Sequence, residues 1–139
     1  MLSTRFTDLV GCTVPIQSAG MGHLATPGLA AAVSDAGGLG TVSVYGAPPA
    51  VVADTLDRLR TRTPGPIAAN FILYFVEPDQ ITDCVVAAAE RARVVDFFYT
   101  EPDASLIELV HRQGALACWQ VGSREEALAA AMFGAPLVC

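Results

Sequence analysis

The chain has no lysine: all eight of its basic residues are arginine. Against fourteen acids they leave a net charge of −6, and the closest-set group is Arg58, Arg60 and Arg62. With no basic stripe to meet phosphates, a nucleic-acid partner is argued against. Charge of either sign is scarce, at 16% of 139 residues, where about 25% is usual. The four cysteines, Cys12, Cys84, Cys118 and Cys139, form no CxxC pair and no zinc-type spacing. They read as buried free thiols of a cytoplasmic protein. No apolar run approaches the ~20 residues of a membrane span. The opening "MLSTRFTDLVGC" is too polar for the apolar segment of a secretory signal.

What the chain does have is interior. Apolar residues make up 53% of it, enough for one domain with a sizeable core. Short apolar runs at 14–18, 39–44, 67–73, 94–99 and 116–121 read as strands. Each is continuous rather than alternating, as expected of parallel strands covered on both faces. Helical patterns with legible ends separate them. Thr26-Pro27 is an N-cap followed by proline at the first helical position. Pro49 opens a second helix, and a third spans about 78–92. "PDASLIELVHRQG" is a fourth, stopped by Gly114, and Ser123-Arg124-Glu125-Glu126 is a capping box for a fifth. The strand starts recur at steps of about 21 to 28 residues, one βα unit each. Regular units of this kind leave two folds, a doubly wound sheet or a (β/α)8 barrel.

The loop after the first strand, "SAGMGHLATP", is the most informative. Gly20-Met21-Gly22-His23-Leu24-Ala25 matches G-x-G-x-x-A, a dinucleotide fingerprint. Two features oppose that use. Thr26-Pro27 starts the helix after the motif rather than within it. No Asp or Glu occurs between Ala36 and Ala53, where a ribose-binding acid belongs. The other use of such a loop is close backbone approach to a flat or phosphorylated ligand at the carboxyl ends of barrel strands. A tight turn with no ligand is the plain alternative.

"TRFTDLVGCTVPIQSAGMGHLATPGLAAAVSDAGGLGTVSVYG", with "PIAANF" downstream, resembles the nitronate monooxygenase family, to which flavin-dependent enoyl-ACP reductases are related. The resemblance spans the whole chain. It implies a (β/α)8 barrel holding FMN at the C-terminal mouth of its strands. Gly20, Met21 and Gly22 match the family loop that lies against the isoalloxazine ring. Asn70 matches the asparagine that hydrogen-bonds the flavin, and Gln120 faces the same mouth by position. Read from the residues, Asn70 is an amide inside an apolar strand and needs partners. A flavin edge or a neighbouring loop backbone would serve. The position of His23 is not a histidine in the family pattern, and His23 reads as solvent-facing or as a support behind the site. His111 suits the C-terminal dipole of its helix. Glu77, Glu101 and Asp103 follow strands, so they either rim the mouth or charge helix starts.

The chain closes on "GAPLVC", which reads as the beginning of a sixth strand. In the family a Gln-Gly-x-Glu-Ala-Gly-Gly-His stretch follows, and its histidine is the usual base. A (β/α)8 domain takes about 250 residues. The expectation is therefore a single incomplete domain over 1–139: about five βα units plus the start of strand six of a partial TIM barrel. It has no catalytic residue of its own and no metal, is inactive alone, and binds FMN weakly or not at all. It self-associates or meets a complementary C-terminal half. Two alternatives stand beside it, a non-catalytic half-barrel interaction module and a compact doubly wound nucleotide-binding domain. The substrate, whether a nitronate, an enoyl thioester or another, is left open.

Overall fold

The computed structural model describes every residue except Met1, Tyr45 and Tyr99. Five strands form one parallel sheet: β1 (Gly40–Ser43), β2 (Ile67–Ile72), β3 (Val94–Phe98), β4 (Leu116–Trp119) and β5 (Leu137–Val138). They lie in the order β1-β2-β3-β4-β5. Six α-helices accompany them: α1 (Arg5–Val10), α2 (Pro27–Asp35), α3 (Pro49–Arg60), α4 (Ile81–Ala89), α5 (Ala104–Arg112) and α6 (Arg124–Met132). The predicted end of the 94–99 strand falls on Tyr99, outside the described residues.

The two faces of the sheet settle which of the two folds is present. Val42, Ala69, Phe71, Val95, Phe97, Ala117 and Trp119 point to one face. There they pack against buried residues of α2 to α6, such as Ala30, Leu56, Val85, Ile107 and Ala130. The alternate residues Ala68, Val94 and Cys118 point the other way. They meet Leu39, Val10 at the end of α1 and Cys12 just beyond it. Five helices on one face and sequential strand order are a barrel wall. A doubly wound sheet reverses its order and carries helices on both faces. The chain is thus an α/β partial barrel, with α1 seated against the inner face. No helix among the described residues is long and apolar enough to cross a membrane.

Four local features differ from the sequence reading. The run at 14–18 makes a single parallel bridge, Gln17 with Leu39, instead of a full strand. Pro15 has no N–H to give, and the Thr41 N–H donates to the Ser18 hydroxyl (2.8 Å) rather than to a backbone carbonyl. The helix expected over 78–92 is shorter, at Ile81–Ala89, because residues 77–80 form a turn closed by the Gln80 N–H on the Glu77 carbonyl. The six-residue α1 is an element beyond those the sequence predicts. Its capping box is Thr4 with Thr7, not the usual Ser/Thr with Glu/Gln. In α6 the Ser123 hydroxyl accepts the Glu126 N–H as expected, but the Glu126 carboxylate accepts from the Gly122 N–H rather than from Ser123.

Asp103 caps α5. One carboxylate oxygen accepts from the Ser105 N–H (2.7 Å), the Ser105 hydroxyl (2.6 Å) and the Leu106 N–H (3.3 Å). These bonds, the Ser105 hydroxyl first, hold its pKa below the ordinary value. Asp103→Ala is expected to cost about 1 kcal/mol at neutral pH. The sign with pH follows from a folded pKa that is depressed. The cap's contribution is full above the unfolded carboxyl value of about 3.9 and is lost as pH falls through the lower folded value. Urea melts of both proteins across acid pH should show their difference closing there. A constant difference would place the effect elsewhere.

Candidate functional site

The inner face carries the polar chemistry. Strand alternation aims Asn70 of β2 and Asp96 of β3 inward, and register sets Ser43, Asn70, Asp96 and Cys118 side by side on four strands. The Asn70 Nδ2 donates to Asp96 Oδ2 (3.0 Å), and the Gln120 Nε2 donates to the same oxygen (2.6 Å). Asn70 is 1% exposed and Asp96 is 0% exposed. Burial pushes the Asp96 pKa up, opposed by the hydrogen bonds from Gln120 and Asn70 and by the neighbouring Cys118 thiol. Two amides on one carboxylate also fix the amide orientations: each nitrogen is committed to Asp96, so each carbonyl oxygen is left to face elsewhere.

Four buried polar atoms on this sheet have no hydrogen-bond partner among the described residues: Thr41 Oγ1, Ser43 Oγ, Asn70 Oδ1 and Asp96 Oδ1. Buried polar groups are nearly always paired, so a cluster of orphans marks a place where a polar molecule belongs.

The glycine loop covers this cluster. An ideal Cβ on Gly20 would stand 2.1 Å from Asn70 Cγ and 2.2 Å from its Oδ1, so only glycine lets the main chain rest on the amide. Met21 beside it is 44% exposed. Gly22, at φ 54°, begins a 3-10 turn over Gly22–Leu24. The loop is tied to β1 through the Ser43 N–H on the Ala25 carbonyl (3.3 Å). Gly20, Asn70 and Gln120 therefore belong to one assembly, with Met21 and Gly22 on its rim.

Of the loosely placed residues, Glu101 joins the rim. It lines a cavity of about 330 Å³ with Phe98, Thr100, Gln120, Gly122 and Glu126. The Trp119 indole N–H, donating to the Thr100 carbonyl (3.0 Å), holds that loop down. His23, Glu77 and His111 are exposed, and Asp103 is the α5 cap. A cavity of about 470 Å³ at the opposite end of the strands is lined by Arg60, Arg91 and Arg93. Its guanidinium groups are already engaged, Arg91 with Asp57 and Glu90, Arg60 with the Arg91 carbonyl and Arg93 with the Leu9 carbonyl.

Sequence reasoning passed over Asp96, although an acid in the middle of "VVDFF" was a signal. The expectation of four buried thiols is corrected at Cys139. Cys12, Cys84 and Cys118 are buried, but Cys139 is exposed, and its sulfur lies 3.8 Å from that of Cys118. The shared hydrogen bond, burial and Asp96 drive the Cys118 pKa up, while the same hydrogen bond, against burial and Asp96, lowers that of Cys139.

A family model described as nitronate monooxygenase matches residues 3–85. A nitronate monooxygenase of Pseudomonas aeruginosa is 51% identical over 45 residues, covering 32% of this chain and 13% of that protein. A (3aS,4S,5R,7aS)-5-hydroxy-7a-methyl-1-oxo-octahydro-1H-indene-4-carboxyl-CoA dehydrogenase of Rhodococcus jostii is 28% identical over 137 residues, 99% of this chain and 38% of its own length. The solved structure of FabK from Thermotoga maritima superposes with a TM-score of 0.90 at 34% identity, over 99% of this chain and 43% of that one. The chain thus spans less than half the length of the relatives it matches. Since the family model covers more than half of the chain, and its residues include the glycine loop and Asn70 of the site, the chain belongs to the nitronate monooxygenase family.

Proposed function

We propose that this chain supplies the ring-facing wall of an FMN site in an oxidoreductase acting on alkyl nitronates. The observation that carries this reading is the buried Asn70 carbonyl oxygen, without a partner among the described residues, under a loop that only glycine allows. The residues fit the ring end of a flavin. Gly20, Met21 and Gly22 offer main chain and a flat apolar contact. Asn70 and Gln120 offer carbonyl oxygens, held in that sense by Asp96, and these suit a donor edge.

Bound FMN would take electrons from the nitronate and pass them to oxygen. The chain's own part is to orient the ring through Asn70 and Gln120 and to exclude water with the Gly20 loop. The carboxyl-CoA dehydrogenase named above matches along nearly the whole chain, and a thioester substrate is the second reading. The sheet edge at β5 presents unpaired backbone groups, which suits association with a second copy or with a complementary half.

Titrating the chain with FMN, followed by the flavin absorption spectrum and by equilibrium dialysis, tests the wall. Weak, saturable binding with a perturbed spectrum is expected. Asn70→Ala should weaken it about tenfold or more, the worth of a hydrogen bond of about 1–3 kcal/mol whose partner stays buried. No saturable binding, or equal binding by Asn70→Ala, would overturn the assignment.

A further inference from the structure

We propose that Asp96, Cys118 and Cys139 form a binding site for a soft divalent cation of the zinc type. Asp96 and Cys118 come from the adjacent strands β3 and β4, and Cys139 directly follows β5. Asp96 pairs in register with Cys118, and Cys118 with Leu137, two residues before Cys139. A carboxylate oxygen of Asp96 and both sulfurs all lie within 4.8 Å of one another.

The sulfur spacing is the first argument. Two Zn–S bonds of about 2.3 Å at a tetrahedral angle place their sulfurs about 3.8 Å apart. The Cys118 and Cys139 sulfurs are 3.8 Å apart. A carboxylate bonded at about 2.0 Å would sit roughly 3.5 Å from each sulfur. Asp96 therefore reaches the same centre by a modest side-chain adjustment.

The second argument is the carboxylate itself. Asp96 is 0% exposed, and its Oδ1 has no hydrogen-bond partner among the described residues. Its other oxygen is held by the Asn70 and Gln120 amides. A carboxylate fixed through one oxygen with the other free is how outer partners orient a metal ligand. Those two amides also offset the negative charge that three anionic ligands bring together.

A disulfide is the competing use of two close sulfurs, and the strand geometry disfavours it. Neighbouring strands lie about 4.8 Å apart, and two residues along a strand add about 6.6 Å. The two Cα atoms are then on the order of 8 Å apart, beyond the roughly 7 Å that a disulfide spans without backbone movement. A metal bridges the same gap with two longer bonds. Thiolate ligands select a zinc-like ion over magnesium or calcium.

The test is a titration of the reduced chain with Co²⁺ as a spectroscopic probe, independent of any flavin. One equivalent should raise a thiolate-to-cobalt charge-transfer band and tetrahedral visible bands, and Zn²⁺ should displace them. Cys118→Ser and Cys139→Ser should each abolish stoichiometric binding, whereas a Cys12→Ser, Cys84→Ser double variant should keep it. Asp96→Asn should weaken binding at least tenfold and retain the charge-transfer band. The unmutated chain alone can refute the proposal, so variants that fail to fold do not shelter it. No charge-transfer band at stoichiometric Co²⁺ would overturn it. So would a band unchanged in both single serine variants, or a Cys118–Cys139 disulfide forming readily in air.

Discussion

Gly40→Ala is expected to unfold the chain. Gly40 opens β1 directly under α2, and its N–H donates to the Ser34 hydroxyl (3.2 Å), which itself donates to the Pro66 carbonyl (2.7 Å). An ideal Cβ there would lie 1.9 Å from the Ala30 carbonyl oxygen, 2.7 Å from its carbon and 2.6 Å from the Ser34 hydroxyl. Two of those atoms are helix backbone, which no rotamer change can move. The helix must lift from the sheet, and Ala30, fully buried in the core, lifts with it. A cost upward of about 3 kcal/mol follows, a large fraction of a small domain's stability. Gly122→Ala is the control. Its Cβ would meet nothing nearer than a Glu126 oxygen at 3.9 Å, and the change should stay within about 0.5 kcal/mol. Urea melts followed by circular dichroism separate the two. Equal midpoints would show that α2 does not press on β1.

Gly20→Ala should strike the site rather than the fold. The overlap is again severe, but the atoms met belong to the Asn70 side chain. Either the loop rises from the sheet or the amide swings off Asp96. The fold cost is about 1–3 kcal/mol, while the ring-facing surface loses its seat. Weak FMN binding should drop below detection in the same titration. The side-chain amide protons of Asn70, held on Asp96 in the parent, should exchange much faster by NMR. Retained flavin affinity and unchanged exchange would mean that the loop and Asn70 are not one unit.

These two glycines show what was legible in the sequence. The βα order was readable because helix caps such as Thr26 and Ser123 and stops such as Gly114 are local devices. Gly20, Asn70 and Gln120 could be singled out because their surroundings made them conspicuous. Asp96 could not be placed so simply, because its meaning lies in cross-strand register. Only when Asn70, Asp96 and Cys118 stand abreast does a lone acid become the acceptor for two amides. The Cys118–Cys139 contact is likewise a product of pairing between β4 and β5, invisible at a spacing of twenty-one residues. The continuous apolar runs also hid a division of labour. Ala69 and Phe71 serve the helix layer, while Ala68 and Asn70 between them serve the inner face.

The seating of α1 has a consequence for how the chain holds together. Among the described residues strands pair only with their neighbours in sequence, and the helix layer follows the same order through α2, α3, α4 and α5. Such an arrangement is close to a one-dimensional array, in which each unit leans on the next and ends can fray independently. The cluster around α1 breaks that locality. Val10 and Cys12 pack with Leu39, Ala68, Val94 and Cys118, and Phe6 joins the same cluster as Leu116 and Leu137. The end of a six-residue helix near the start of the chain thus shares one cluster with residues of β2, β3, β4 and β5 and with Leu39 beside β1. It acts as a cross-brace, converting stepwise peeling of βα units into a single cooperative event.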